Sequence, residues 1–191
     1  MKHLIYSLLI LCVIFTHSLS SGAQSASGIT IKKDLVYGQA GGTVLKLDIG
    51  SPEGTGPFPV ILFFHGGGWQ QGNKSHMHKW IRMYATLGYV GVSVGYRFAP
   101  QYKWPSQVND AKTAVRYLRA HAKELNIDTN RIAAMGESAG GYLALMLGVT
   151  SPIDGLEGDG GYSKFSSSVK TVVSYFCATD FTQPGLKLSP E

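Results

Sequence analysis

Gly136-Glu137-Ser138-Ala139-Gly140 decides how the rest of the chain is read. The pattern G-x-S-x-G marks a strand that ends in a very sharp turn on a serine and restarts at once as a helix. A serine at such a turn is held in a strained backbone conformation that pushes its hydroxyl outward. The chain doubles back so tightly that side chains two residues before and two after would meet. Gly136 and Gly140 are therefore expected to relieve that clash. The flanks agree with this turn. Arg131-Ile132-Ala133-Ala134-Met135 forms a short apolar strand candidate, and Ala139 to Val149 is apolar on every side, as a helix buried in a larger fold is.

A second motif lies upstream. His65-Gly66-Gly67-Gly68-Trp69 follows Val60-Ile61-Leu62-Phe63-Phe64, an unbroken apolar run of the kind found in strands buried on both faces. A run of glycines lets backbone N–H groups approach a bound molecule with no side chains in the way. Such donors hold the negative charge that develops on a carbonyl oxygen attacked by a serine.

The two motifs together, in this order, resemble the α/β-hydrolases of the hormone-sensitive-lipase and bacterial carboxylesterase type, near the secreted feruloyl and acetyl esterases. Tyr96-Arg97-Phe98-Ala99-Pro100 and Gly136 to Gly141 match that pattern. Val169 to Val173 with Ala178-Thr179-Asp180-Phe181 resembles the next strand and its exit. The resemblance runs from about Ile29 to the last residues. It implies a mostly parallel sheet with helices on both faces, of which this chain carries the N-terminal part. It also implies that Ser138 is the nucleophile, that the N–H groups of Gly67, Gly68 and Ala139 form the oxyanion hole, and that His65 and Gly66 support the loop. Carboxylic esters become the expected substrates, with acetyl or feruloyl esters of polysaccharides favoured, and no cofactor or metal is called for.

The composition is compatible with this. The chain has 191 residues, 44% of them hydrophobic and 15% charged, which suits one globular domain. The net charge of +5 is scattered without a basic run, so nucleic-acid binding is not expected. Residues 1–23 read as a secretory signal peptide: Lys2, an apolar Leu4–Phe15 core too short to span a bilayer, and a small-residue cleavage site at Ser21-Gly22-Ala23. Residues 24–191 then form the hydrolase domain, secreted or periplasmic, with no stable membrane association after cleavage. Cys12 would leave with the signal, and Cys177, at the end of a strand, is expected to be a buried inert thiol.

Taken in order, Ile29–Tyr37 and Thr43–Ile49 read as an antiparallel pair at the sheet edge. Met77, Trp80, Ile81, Tyr84 and Leu87 share a helix face that stops at Gly88. His76 and His78 point apart at i, i+2 and have no carboxylate nearby in sequence, so a metal is not expected. Tyr89–Val94 is a second buried strand. Ser106 is placed to cap a helix whose core face is Val108, Ala111, Val115, Leu118 and Ala122. The loop Thr150–Ser168, rich in Gly, Ser and Asp, is expected at the substrate rim.

The order of residues raises one difficulty. Serine hydrolases of this fold run Ser, then acid, then His. All six histidines, at positions 3, 17, 65, 76, 78 and 121, precede Ser138. Asp180 follows a strand and is a candidate acid, with the loop acids Asp154, Glu157 and Asp159 weaker. The acid and the histidine are thus expected beyond the last residue, and the chain on its own to be unstable and inactive. Two other functions stay open: a non-catalytic binding module or inactive fragment on the same fold, and a serine peptidase.

Overall fold

The two motifs fall on neighbouring strands of one sheet. The computed structural model describes residues 28–182. Its strands are β1 (Ile29–Ala40), β2 (Thr43–Pro52), β3 (Phe58–Phe64), β4 (Val90–Val94), β5 (Ile127–Glu137) and β6 (Thr171–Tyr175). The α-helices among the described residues are α1 (His78–Thr86), α2 (Ser106–Ala120) and α3 (Ala139–Val149). The sheet order is β1-β2-β4-β3-β5-β6. β1 and β2 pair antiparallel, as do β2 and β4, while β4, β3, β5 and β6 run parallel. The expected hairpin is therefore present at one edge. The signal-peptide segment, residues 1–23, lies outside the described residues. No helix among the described residues is long and apolar enough to cross a membrane.

Helices cover both faces, which explains the unbroken apolar run of β3. Phe63 packs with Met77 and Ile81 under α1. Its neighbours Leu62 and Phe64 face Val108, Val115 and Leu143 of α2 and α3. A strand sandwiched this way needs apolar side chains at odd and even positions alike. β6 differs. Val173 and Tyr175 are exposed on its outward face, so it alternates like an edge strand.

Several local expectations shift. Leu87 is exposed rather than on the core face of α1, because the helix closes at Thr86 and the chain turns away at Gly88. Ser106 is the first residue of α2, not its cap; Pro105 holds that place without a side-chain hydrogen bond. α3 buries Leu143, Ala144 and Leu147, but its last turn reaches solvent at Val149. Cys177 is half-buried rather than buried.

The largest correction concerns residues 150–168. They connect the end of α3 to the start of β6. The loop runs along α2 toward its first turns, with Gly158 against Asn109 and Gly160 against Thr113. It does not reach the cavities around Ser138. It is clamped to α2 instead: Glu157 accepts from Lys112 at 2.9 Å and from Arg116 at 2.6 Å. Arg119 donates to the carbonyls of Ser166 and Ser168.

Candidate active site

Parallel pairing sets the site. Phe64, the last residue of β3, is in register with Gly136 of β5. The loop after each strand therefore leaves the sheet side by side, at the carboxyl ends where ligands bind in such sheets. Ser138 follows β5 with φ 52° and ψ −122° and is the residue from which α3 starts. That backbone conformation costs a non-glycine residue about 1–3 kcal/mol. The turn is fixed on both sides: Ser138 N donates to Tyr175 O at 2.9 Å, and Tyr142 N donates to Ser138 O at 3.1 Å.

The elbow glycines have different partners from those expected. A Cβ on Gly136 would strike the Gly140 carbonyl, in line with the sequence argument. A Cβ on Gly140 would instead strike the carbonyl oxygens of Phe64 and His65. Gly140 thus lets the first turn of α3 sit against the end of β3. The same closeness brings the two motifs together, for a Cβ on Gly66 would lie 3.3 Å from Ser138 Cβ.

The glycine loop presents donors. Gly67 has φ +124° and no room for a Cβ, which would meet Gln71 O. Its carbonyl is turned inward to accept from Gln70 N and Gln71 N, each at 3.1 Å. Among the described residues, the N–H groups of Gly67, Gly68 and Ala139 donate to no backbone acceptor. Ala139 opens α3, where helix N–H groups are free by construction.

His65 is fully buried. Its Nδ1 donates to Gly66 O at 2.7 Å, since a carbonyl can only accept. Its ring stacks on Tyr96 at 4.5 Å, and Tyr96 Oη donates to His65 O at 2.8 Å. Burial pushes the imidazole below its ordinary value; the Gly66 carbonyl favours the charged form, and His76 opposes it. Arg97, next to Tyr96, makes a buried pair with Asp110, Nη2 to Oδ1 at 2.7 Å. The loop after β4 therefore braces the glycine loop from behind, and Ala99 N donates to Trp69 O at 2.8 Å.

Two cavities flank the loop. The first, ≈ 650 Å³, contains Ser138, Gly66 and Gly67 together with Gln71, His76 and Glu137. The second, ≈ 390 Å³, is lined by Gly68, Trp69, Trp104, Gln107, Tyr142 and Phe181. Its aromatic rings touch edge to face, Trp69 to Tyr142 at 5.4 Å and Tyr142 to Phe181 at 5.6 Å. Sequence reasoning missed this aromatic wall because it is assembled from four separate segments. A tryptophan or tyrosine close to each motif was the available signal.

Comparison with known proteins settles the family. The BD-FAE family profile matches residues 47–188. The chain belongs to the BD-FAE family of α/β-hydrolases. Its relatives include esterase LipC of Mycobacterium tuberculosis, 39% identical over 103 residues, which cover 51% of this chain and 24% of LipC. The bifunctional GH43-CE protein of Bacteroides eggerthii superposes with a TM-score of 0.70 and 32% identity, covering 77% of this chain and 22% of that one. Esterase 2 of Thermogutta terrifontis, phosphonylated by cyclosarin, gives 0.64 and 33%, covering 75% and 54%. This BD-FAE chain thus spans a quarter to about half the length of these proteins.

Other expected residues are placed as follows. Asp180 is exposed, and its Oδ1 accepts from Thr182 N at 2.8 Å and Thr182 Oγ1 at 2.6 Å. His78 meets a carboxylate that sequence distance had hidden: its Nε2 lies 2.7 Å from Asp48 Oδ2. Lys74 Nζ donates to the same buried Asp48 at 2.8 Å and to Asp34 at 3.0 Å. Burial pushes the Asp48 carboxyl up, but Lys74, the Asp34 N–H and His78 together hold it below the usual range. No group of three or more metal-ligating side chains occurs among the described residues.

Proposed function

We propose that this protein is a secreted serine carboxylesterase whose nucleophile is Ser138, acting on acetyl or feruloyl esters carried by polysaccharides. One observation carries the reading: Ser138 sits in a strained turn, in one cavity with Gly66 and Gly67, beside unpartnered backbone donors. Ser138 Oγ bonds to the ester carbonyl carbon as its proton passes to a base. The carbonyl oxygen takes the negative charge against the N–H groups of Gly67, Gly68 and Ala139. The C–O bond to the alcohol then breaks, the alcohol leaves with a proton, and water releases the acid from Ser138. Phosphonylation of the Thermogutta esterase is the behaviour of a reactive hydroxyl, and it supports the same chemistry here.

The aromatic cavity favours feruloyl over acetyl esters. Its volume is within the roughly 300–1,000 Å³ of small-molecule sites. An acetyl group would leave it empty, whereas a planar phenyl ring would fill it against Trp69, Tyr142 and Phe181. Hydrolysis of methyl ferulate by the full-length protein tests this, set beside an aminoacyl anilide. Ester turnover that disappears in Ser138→Ala, with the anilide untouched, is expected. Turnover that survives Ser138→Ala, or faster cleavage of the anilide, would contradict it.

A further inference from the structure

The aromatic cavity has a buried amide set into its wall, Gln107 on the first turn of α2. Resting on the esterase reading above, we infer that Gln107 determines acyl specificity: its amide oxygen accepts a hydrogen bond from a phenolic hydroxyl on the acyl ring. The protein then prefers hydroxylated aromatic acids to their O-methylated or unsubstituted counterparts.

The orientation of the amide follows from its partner. Gln107 is 3% exposed, and its Nε2 donates to Tyr102 O at 2.6 Å. A backbone carbonyl can only accept, so the amide cannot sit the other way round, and Oε1 takes the opposite branch. Among the described residues, no donor meets Oε1. The sealed side-chain atoms without partners there are His65 Nε2, Trp69 Nε1 and Asn109 Oδ1. Gln107 Oε1 is not one of them, so it keeps an opening, and the space that Gln107 lines is this cavity. Tyr102 is itself held. Its N–H donates to Phe98 O at 2.9 Å, its hydroxyl pairs with Thr43 Oγ1 at 2.5 Å, and its ring lies 5.1 Å from the Arg97 guanidinium. The acceptor is thus fixed before a ligand arrives.

The surroundings choose the donor. Trp69, Trp104, Val108 and Tyr142 offer apolar area suited to a ring. They come from the loops after β3 and β4, from α2 and from α3; β6 contributes none of them. Trp104 Nε1 is already engaged, donating to Tyr142 Oη at 3.3 Å. Gly68 lines the same cavity as Gln107, so a carbonyl held on the Gly68 N–H sends its acyl group toward this wall. A ring without an O–H strips water from Oε1 and leaves it unpaired, which is the costly case for a buried acceptor. A methyl ether at that place sets a second acceptor against the first. Sites that hydrogen-bond a substrate hydroxyl reject the analogue lacking it more strongly than apolar pockets reject a changed methylene.

Three esters separate this reading from a general preference for rings. They are methyl ferulate, methyl 3-methoxycinnamate, which lacks the ring hydroxyl, and methyl 3,4-dimethoxycinnamate, in which it is capped. The full-length protein should show a kcat/KM about tenfold higher for methyl ferulate than for either of the others, the worth of one hydrogen bond to a buried acceptor. Gln107→Met, which keeps the length of the side chain and removes the amide, should bring the ratio within about twofold. Gln107→Asn, with the oxygen drawn back by one methylene, should do the same. A residue that only braced Tyr102 would lower all three esters alike and preserve the ratio. A wild-type ratio near one, or a ratio that persists in the folded variants, overturns the role of Gln107 and leaves the esterase reading standing. Absence of Ser138-dependent turnover with all three esters overturns the esterase reading itself, and the role of Gln107 with it.

Discussion

Two glycine-containing loops are put to opposite uses. Residues 65–72 follow β3 and emerge beside Ser138; residues 155–168 come after α3 and run along α2. In the first, Gly67, Gly68 and Trp69 all have positive φ, and N–H groups are left without backbone acceptors. In the second, Glu157 holds the buried Lys112 and Arg116, and Ser167 donates to Glu157 at 2.8 Å. The lesson concerns position. Glycine content makes a loop adaptable, and what the loop lies against decides whether that adaptability holds a ligand or seals a helix.

The contrast can be broken most severely at Gly67. Gly67→Ala places a Cβ against Gln71 O and turns the loop donors away from Ser138. Ester turnover should fall by about 10²–10³, the usual cost of losing an oxyanion donor, with a smaller change in melting temperature. Glu157→Ala should do the reverse. It leaves Lys112 and Arg116 buried without their carboxylate. The loss of unfolding free energy should be about 2 kcal/mol, less than for a fully buried pair because Glu157 is 29% exposed. The reaction rate of Ser138 in the folded fraction should not change. If Glu157→Ala slowed that reaction instead, the two loops would not be independent.

A smaller effect, opposite in sign, is expected at the elbow. Ser138→Gly removes the conformational penalty and should raise stability by about 1 kcal/mol while abolishing turnover. A decrease in stability would mean that the turn is not strained. The finest test is pH. The folded-state pKa of His65 lies below its ordinary value of 6.5 because the ring is buried, so the unfolded chain binds the extra proton first. Its contribution to stability is fully present above the ordinary value and is lost as pH falls from there toward the lowered one. Urea midpoints measured at about pH 7.5 and 5.5 should drop in the wild type, and by less in His65→Gln.

The sequence carries the fold where the signals are local. The apolar runs at Val60–Phe64 and Tyr89–Val94, the turn on Ser138 and the stop at Gly88 all specify their own conformation, and each is found within a residue or two of its place. Groups that meet across the sheet were not legible. Asp48 lies 26 residues from Lys74 and 30 from His78, yet all three form one network, because β2 runs beside β4. Nothing in the sequence neighbours of His76 shows that its turn lines the same cavity as Ser138. The composition of residues 150–168 does not reveal that they are clamped to α2 and not to the cavities around Ser138.

The central claim is that Ser138 is a nucleophile, and covalent labelling addresses it directly. Full-length protein treated with a fluorophosphonate and analysed by peptide mass spectrometry should carry one adduct, on Ser138. No adduct should form in Ser138→Ala, and labelling should slow in Gly67→Ala. A folded protein that stays unlabelled at Ser138, or that labels equally well as Ser138→Ala, would contradict the account and leave Gly136 to Gly140 as a strained turn without a reaction.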